Sequence, residues 1–232
     1  MTAVVMHQKW RELLFLHWTI EPEVVQATLP PGLEVDCFDG RAWLGVVPFL
    51  MRGIRPRFLP SVPYLSNFLE ANVRTYVRDR HGRPGVWFYS LDCDRGIAVR
   101  TARRFFSLPY FHAAMQAARH ESGALDYRVK RRGAASSSRF VYRGEGAVRQ
   151  AAAGSLEHFL AERYRLFAWQ PGPRRLITGE VEHVPYPLQD AVVLDQDTAL
   201  IELAGFEAPA GPPEHALYSA GVDVRVRRVE PV

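Results

Sequence analysis

The chain has 232 residues, 47% apolar and 23% charged, which excludes a disordered or fibrous protein and suits one globular domain spanning residues 1–232. Its net charge of +4 comes almost wholly from scattered arginines, because Lys9 and Lys130 are the two lysines. No nucleic-acid-binding motif and no long apolar run accompany them, so we expect neither nucleic-acid binding nor a membrane span. Cys37 and Cys93 make no disulfide framework, and we therefore expect a cytoplasmic protein.

Strands dominate the predicted elements. Segments rich in β-branched and aromatic residues, bounded by Gly, Pro or Asp, predict strands. In chain order they are Leu13–Thr19, Ala42–Met51, Leu69–Val77, Val86–Leu91, Asp126–Arg132, Arg139–Arg143, Leu176–His183 and Ala216–Arg228. Helical spacing or capping predicts short helices at Glu21–Thr28, Ile97–Phe106, Ser155–Tyr164 and Asp197–Ala204. The pattern predicts an α+β fold with a mainly antiparallel sheet.

The third predicted strand carries an unusual polar row. In "NFLEANVRTYV", alternation places Glu70, Asn72, Arg74 and Tyr76 on one face and apolar side chains on the other. Such a row either faces water on a one-sided sheet or lines a cavity. Asn72 lies about 7 Å from each neighbour on its face, so we expect a connected network with Glu70 and Arg74. Apolar segments on both sides predict a central strand of a closed sheet.

Common catalytic and cofactor motifs are absent from the sequence. There is no phosphate-binding loop, no Gly-x-Ser-x-Gly elbow and no His-Glu-x-x-His helix. The stretch Gly144–Arg149 begins like a dinucleotide-binding loop but lacks its third glycine, and we predict a turn there. The eight histidines are dispersed without ligand spacing. We therefore predict no metal site and no cofactor.

Several strings in order along the chain resemble the bacterial YqjF-type domain of unknown function. They are "LPPGLEVDCFDGRAWLGVVPF", "LEANVRTYV", "GVWFYSLDC", "LPYFHAAM" and "SLEHFLAERY". That domain is similar to acetoacetate decarboxylase, and the resemblance implies an antiparallel β-barrel or cone that encloses a small apolar pocket. It also implies that Arg11 and Glu70 hold a substrate carboxylate and position groups in the pocket.

The same resemblance places Tyr110 and Phe111 where the decarboxylase has adjacent lysines. One of those lysines forms a Schiff base because its neighbour's charge lowers its pKa. Neither residue here forms an imine, so the lysine-dependent mechanism is not expected at this position. Lys130 lies between Arg128 and Arg132, whose charges would depress its pKa, but a solvated strand is the favoured interpretation.

Two functions remain open from the sequence. In the first, a small-molecule pocket binds or acts on a keto or hydroxy acid without a Schiff base. Its predicted catalytic residues are Glu70 and Tyr110, and its predicted ligand-binding residues are Arg11, Glu70, Asn72, Arg74, Tyr110 and Phe111. In the second, a non-catalytic interaction or scaffold protein keeps the barrel but fills it with aromatic side chains.

Tyr110 is equally compatible with a core aromatic, Asp92 is expected to form a turn, and His17 and Trp18 are expected to pack as aromatics. The sequence leaves open whether the chain forms a homo-oligomer.

Overall fold

The computed structural model describes residues 2–62 and 66–232, with only the backbone described for residues 101–105. The described strands are β1 (Val4–Ile20), β2 (Leu33–Val35), β3 (Ala42–Pro56), β4 (Phe68–Asp79), β5 (Pro84–Cys93), β6 (Tyr110–Arg119), β7 (Leu125–Arg131), β8 (Ser138–Arg149), β9 (Arg165–Gln170), β10 (Arg175–Glu182), β11 (Leu188–Asp197), β12 (His215–Arg227) and β13 (Glu230–Pro231). The described helices are α1 (Pro22–Gln26), α2 (Gly96–Phe106), α3 (Leu156–Ala161) and α4 (Ala199–Leu203).

One sheet contains all of these strands and closes on itself. Its order is β13-β10-β9-β5-β6-β7-β8-β11-β12-β1-β3-β4-β2, and further pairings join β5 to β4 and β10 to β12. The β4–β5 pairing completes a ring through β6, β7, β8, β11, β12, β1 and β3. Strands β9 and β10 form a second path from β5 to β12. Among the described strands, only the β5–β6 and β5–β9 pairings are parallel, so the sheet is mainly antiparallel.

Three of the strands shared by both closed paths, β1, β3 and β4, are buried on both faces along much of their length. One face of β1, β3 and β4 contributes Leu14, Val46 and Leu69 to a cluster with Tyr127 of β7 and Phe140 of β8, which we name the first compartment. The opposite face contributes to a second compartment, whose members include Leu13, Phe15, Val47, Phe49, Phe68, Ala161 and Tyr186. Alternating side chains of β4 therefore enter two different interiors.

The helices are short and lie between strands. Helix α3 begins after Ser155, whose hydroxyl accepts a hydrogen bond from the backbone N–H of His158 at 3.2 Å, the capping that the sequence predicts. The predicted helices at Glu21–Thr28, Ile97–Phe106 and Asp197–Ala204 are also present, with shorter or shifted bounds. In the described part of the chain, no helix has the length and apolar character needed to cross a membrane.

Every predicted strand is present, and the predicted α+β fold with a closed, mainly antiparallel sheet is confirmed. The predicted turn at Gly144–Arg149 is wrong, because β8 continues through it and pairs with β11. Gly146 has a φ of 80° and lies where the register between β8 and β11 shifts. The glycine therefore permits a β-bulge within β8. The sequence does not predict β6, β9 and β11, which lack a clear β-branched alternation, or the very short strands β2 and β13.

Candidate functional site

The polar row of β4 lies in the interior. Glu70, Asn72, Arg74 and Tyr76 are only 3%, 4%, 9% and 0% exposed. Cross-strand pairing places Glu70 opposite Phe49 and Asn72 opposite Val47, both of which belong to the second compartment. The alternative that this row faces bulk water is therefore wrong, because both faces of β4 are covered by other parts of the sheet.

Glu70 and Tyr110 form the centre of the candidate site. The Tyr110 hydroxyl donates a hydrogen bond to Oε2 of Glu70 at 2.7 Å. Tyr110 begins β6 and is held in place by parallel pairing with Leu91, whose N–H donates to the carbonyl of Pro109 at 3.0 Å. The contact thus joins two strands that are distant in sequence but adjacent to the same stretch of β5.

Burial changes the acid–base properties of this pair. Desolvation raises the pKa of Glu70 to about 7, partly opposed by the Tyr110 hydrogen bond and reinforced by the charge of Asp92. Burial and the neighbouring Glu70 carboxylate raise the pKa of Tyr110 above its ordinary value, so the hydroxyl stays protonated and donates. Glu70 therefore exchanges its proton near neutral pH, as a general acid or base must.

The backbone at Glu70 is fixed from the first compartment. The buried Tyr127 hydroxyl, on β7, contacts the carbonyl of Glu70 at 2.8 Å and that of Phe49 at 3.0 Å. This phenol holds β3 and β4 at the position where Glu70 enters the opposite interior. The sequence pattern does not indicate this role of Tyr127, because the contact depends on β7 crossing the first compartment.

Arg74, Tyr76 and His17 form a second polar group on the same face. The Tyr76 hydroxyl donates to the carbonyl of Leu160 at 2.8 Å, and Nη2 of Arg74 donates to that carbonyl at 3.0 Å. Nε2 of His17 lies 2.7 Å from the Tyr76 hydroxyl. Because that hydroxyl already donates its proton, His17 is the donor, so its Nδ1 carries no proton. Burial lowers the pKa of His17 well below its ordinary value, and the imidazole is neutral.

Two polar atoms along the row have no hydrogen-bond partner among the described residues. They are Oδ1 of Asn72 and Nε of Arg74. The predicted network from Glu70 through Asn72 to Arg74 is therefore not formed, because both neighbours direct their hydrogen bonds elsewhere. A buried polar group without a partner costs about 1–3 kcal/mol, so a ligand that satisfies either atom gains affinity.

Arg11 and Phe111 lie away from this row. Arg11 forms an ion pair with Asp223 and donates to the carbonyl of Val222 at 2.7 Å, with 34% of its side chain exposed. The predicted grouping of Arg11 with Glu70 is wrong, because Glu12 has a φ of 56° and the register shifts beyond Arg11. Strict alternation from Leu13 would direct the Arg11 side chain into the second compartment. Because of the bulge, the Trp10 side chain packs there instead.

Phe111 follows Tyr110 and has the opposite orientation on β6. The guanidinium of Arg131 lies 4.0 Å from the centre of its ring. Arg131 forms a bidentate ion pair with Asp92, at 2.7 and 2.8 Å, and Asp92 is fully buried. The expected turn role of Asp92 is therefore wrong, since the residue lies within β5 and neutralises a buried arginine.

Both lysines are exposed. Lys9 lies on β1 and Lys130 on β7. Three clefts formed by described residues have volumes of about 810, 480 and 690 Å³, and Glu70 lines none of them. Among the described residues, no three His, Cys, Asp or Glu side chains gather closely enough to hold a metal ion.

Sequence comparison identifies the family. Residues 7–223 match the family DUF2071, described as an uncharacterized conserved protein. The chain belongs to this family. A relative, the uncharacterized protein YqjF of Bacillus subtilis (strain 168), is 36% identical over 210 residues, covering 90% of this chain and 85% of the relative.

Structural comparison shows that this DUF2071 protein shares its fold with acetoacetate decarboxylases, which confirms the predicted decarboxylase-like closed sheet. Acetoacetate decarboxylase from Legionella pneumophila has a TM-score of 0.68 at 14% identity, covering 99% of this chain and 88% of the other. The enduracididine biosynthesis enzyme MppR, solved in complex with pyruvate, has a TM-score of 0.66 at 15% identity, covering 100% and 91%. At these identities the likeness shows a shared fold.

Proposed function

We propose that the second compartment binds a small keto or hydroxy acid and that Glu70 transfers a proton to or from it. The observation that carries this proposal is the 2.7 Å hydrogen bond from Tyr110 to a buried carboxyl group whose pKa is about 7. Perturbed titratable groups with a specific partner are concentrated at functional sites. A surface glutamate would be fully ionised at neutral pH and a poor general acid.

The roles follow from the side chains on one face of β4. Ionised Glu70 takes a proton from an acidic C–H or O–H of the ligand and returns it in the reverse step. The Tyr110 hydroxyl donates a hydrogen bond that stabilises the ionised carboxylate of Glu70. Arg74 supplies a permanent positive charge with an unpartnered Nε, which suits a ligand carboxylate. Asn72 offers an unpartnered amide oxygen to a ligand hydroxyl.

Two considerations support this ligand class. The related fold of MppR was solved in complex with pyruvate, a 2-keto acid. The positions that resemble the decarboxylase lysines are Tyr110 and Phe111, and both lysines of this chain are exposed. The proposed chemistry is therefore proton transfer without an imine. A reducing, cytoplasmic location is part of the proposal and agrees with the free thiols of Cys37 and Cys93.

Hydrogen–deuterium exchange of pyruvate tests proton transfer without knowledge of the product. The protein is incubated with pyruvate in D2O at pD values from 5 to 9, and loss of the methyl signal is followed by proton NMR. We expect saturable exchange that is at least tenfold slower in Glu70→Gln, while Glu34→Gln, an exposed matched control, exchanges at the wild-type rate. Equal rates in the two variants would remove Glu70 from the mechanism.

The packing of the second compartment favours a second candidate, a non-catalytic interaction or scaffold protein. Phe15 and Tyr186 form an edge-to-face pair with ring centres 5.3 Å apart. The ring centres of Phe49 and Trp10 are 5.8 Å apart. These rings fill space that an enzyme would leave for its ligand.

Isothermal titration with pyruvate, lactate and acetoacetate separates the two candidates. Saturable binding weakened by Arg74→Gln supports the pocket, and no binding of any of the three supports the scaffold.

A further inference from the structure

Strands β6 and β7 form the floor of a cleft that is separate from the Glu70 site. The cleft has a volume of about 810 Å³, within the usual range for small-molecule sites. The inward side chains of these strands, Ala113, Tyr127 and Val129, belong to the first compartment. The outward side chains at positions 112, 114 and 116 of β6 and 128, 130 and 132 beside them are exposed. We name this surface the β6–β7 cleft.

The cleft exists because β5 ends where β6 continues. Pairing between these strands stops at Cys93 and His112, while β6 remains paired with β7 as far as Arg119. The segment after β5 contributes Asp94 and Arg95 to one wall. The opposite wall comes from the turn after β7 and the start of β8, including Gly133, Ser137 and Arg139.

Positive charge is concentrated in this cleft. Its lining contains six positively charged side chains and one carboxylate. The cations are Arg95, Arg128, Lys130, Arg131, Arg132 and Arg139, and the carboxylate is Asp94. Carboxylates outside the lining, Asp92, Asp126 and Asp195, pair with Arg128, Arg131 and Arg139, and Asp94 pairs with Arg95. Within the described residues, Lys130 and Arg132 have no carboxylate in ion-pair distance.

The arrangement around Lys130 leaves its ammonium group accessible. Lys130 lies opposite Ala114, whose methyl group is too short to cover it. The backbone N–H of Arg132 donates to the carbonyl of His112 at 2.8 Å, which keeps Arg132 on the strand at the next outward position. Side chains two positions apart on a strand are separated by about 7 Å, so an anion between Lys130 and Arg132 lies near both.

A buried acid holds the neighbouring arginines in place. Asp126 accepts from Nη2 of Arg128 and Nη2 of Arg139, each at 2.8 Å. These hydrogen bonds hold the pKa of Asp126 well below its ordinary value, so it stays ionised. Fixed guanidinium groups at the rim lose little conformational freedom when they contact an anion. The rim is thus organised before any ligand arrives.

We infer that the β6–β7 cleft is a binding site for a small molecule that carries a diphosphate or two phosphate groups. Lys130 and Arg132 neutralise its charge, and the guanidinium groups at the rim supply hydrogen-bond donors that match phosphate oxygens. The limited size of the cleft and the scattered charge elsewhere favour a small polyanion over an extended nucleic acid. The site is independent of Glu70, and binding here does not require the function proposed above.

Isothermal titration of the full chain with pyrophosphate at two salt concentrations tests this site. We expect saturable one-to-one binding that weakens at higher salt and is at least tenfold weaker in Lys130→Gln/Arg132→Gln. The control Lys9→Gln/Arg55→Gln removes the same charge from another surface and is expected to bind like the wild type. Glu70→Gln should also bind normally. Far-UV circular dichroism verifies that each variant is folded.

Three results would overturn the inference. They are no saturable binding by the wild-type chain, unchanged binding by Lys130→Gln/Arg132→Gln, and an equal loss in the Lys9→Gln/Arg55→Gln control, which would indicate non-specific attraction. A parallel titration with a short DNA duplex distinguishes the ligand class. Tighter binding of the duplex than of pyrophosphate, lost in the same double variant, would assign the cleft to nucleic acid instead.

Discussion

Glu70 lies on β4, a strand that is buried on both faces, and this burial determines its acid–base properties. Among the described residues its carboxyl group has one hydrogen-bond donor, Tyr110, which does not replace the water lost on burial. The pKa therefore rises, whereas that of Asp126, which accepts from two guanidinium groups, falls. The comparison shows that burial alone does not fix the direction of a shift, because the number and charge of the donors decide it.

This environment predicts how stability depends on pH. The pKa of Glu70 is about 7 when folded and near the ordinary 4.5 when unfolded, so the folded state holds the proton more tightly. Its contribution is fully present below pH 4.5 and is lost as pH rises through 7, by roughly 3 kcal/mol in total. Urea unfolding from pH 4.5 to 8.5 should show Glu70→Gln gaining stability relative to wild type over this window. A constant difference at all pH values would contradict the assigned pKa.

His17 predicts the opposite trend at acidic pH. Burial lowers the pKa of its imidazole in the folded state, so the unfolded chain binds a proton first as the pH falls below 6.5. The wild type should therefore lose stability there relative to His17→Gln, with Glu34→Gln following the wild type. The same urea series measures it. A difference between wild type and His17→Gln that stays constant from pH 7.5 to 5 would show that His17 titrates normally.

At the scale of elements, the sequence predicts strands whose apolar residues alternate and misses those whose pattern is weak. β4 is recognised because Leu69, Ala71 and Val73 alternate with polar residues, but β6 is rich in alanine, a poor strand former. β6 is a strand because β5 and β7 pair with it, a long-range cause that no local pattern contains. The same is true of the candidate site. Alternation and the family resemblance predict that Glu70 lies in it, whereas no local pattern predicts the bulge at Glu12 that moves Arg11 away.

The ion pair between β5 and β7 gives a prediction about the first compartment. Asp92 is fully buried and the side chain of Arg131 is 10% exposed, so removing one charge leaves the other uncompensated. Asp92→Asn should lower the free energy of unfolding by about 3–5 kcal/mol, and Asp92→Leu/Arg131→Met by less. The exposed pair of Arg143 and Glu145 supplies the control Glu145→Gln, expected to cost under about 1 kcal/mol. Urea unfolding that gives Asp92→Asn and Glu145→Gln the same cost would contradict this account.

The backbones of β1 and β12 approach each other closely at Gly221. Its φ is 132°, and a Cβ there would lie 2.0 Å from the carbonyl oxygen of Trp10. Gly221→Ala should therefore destabilise the fold by about 3 kcal/mol or more through strain and overlap. Gly172→Ala is the control, because a Cβ at Gly172 has no atom within 4 Å. Thermal unfolding that ranks the two variants equally would show that the strands separate at little cost.

At the scale of the whole molecule, the two compartments share one wall. β1, β3 and β4 lie between them, so each buries both faces and pairs on both sides. By contrast, β6 beyond His112 pairs only with β7 and exposes one face. The fold therefore has a buried central wall and a less protected outer layer. The polar row of β4 enters the second compartment from that wall, and the β6–β7 cleft lies on the outer layer.

This division predicts the order of local opening. Amides in Ala71–Tyr76 of β4 should exchange with deuterium only when the whole fold opens, because both ladders and both packed faces must be disrupted. Amides in Ala114–Arg119 of β6 need lose only one ladder and one face, and should exchange about a hundredfold faster or more. Mass spectrometry of exchange at increasing urea measures both segments in one sample. If Ala71–Tyr76 exchanges as fast as Ala114–Arg119, the second compartment opens locally, and the Glu70 site is then reached through motion of the central wall itself.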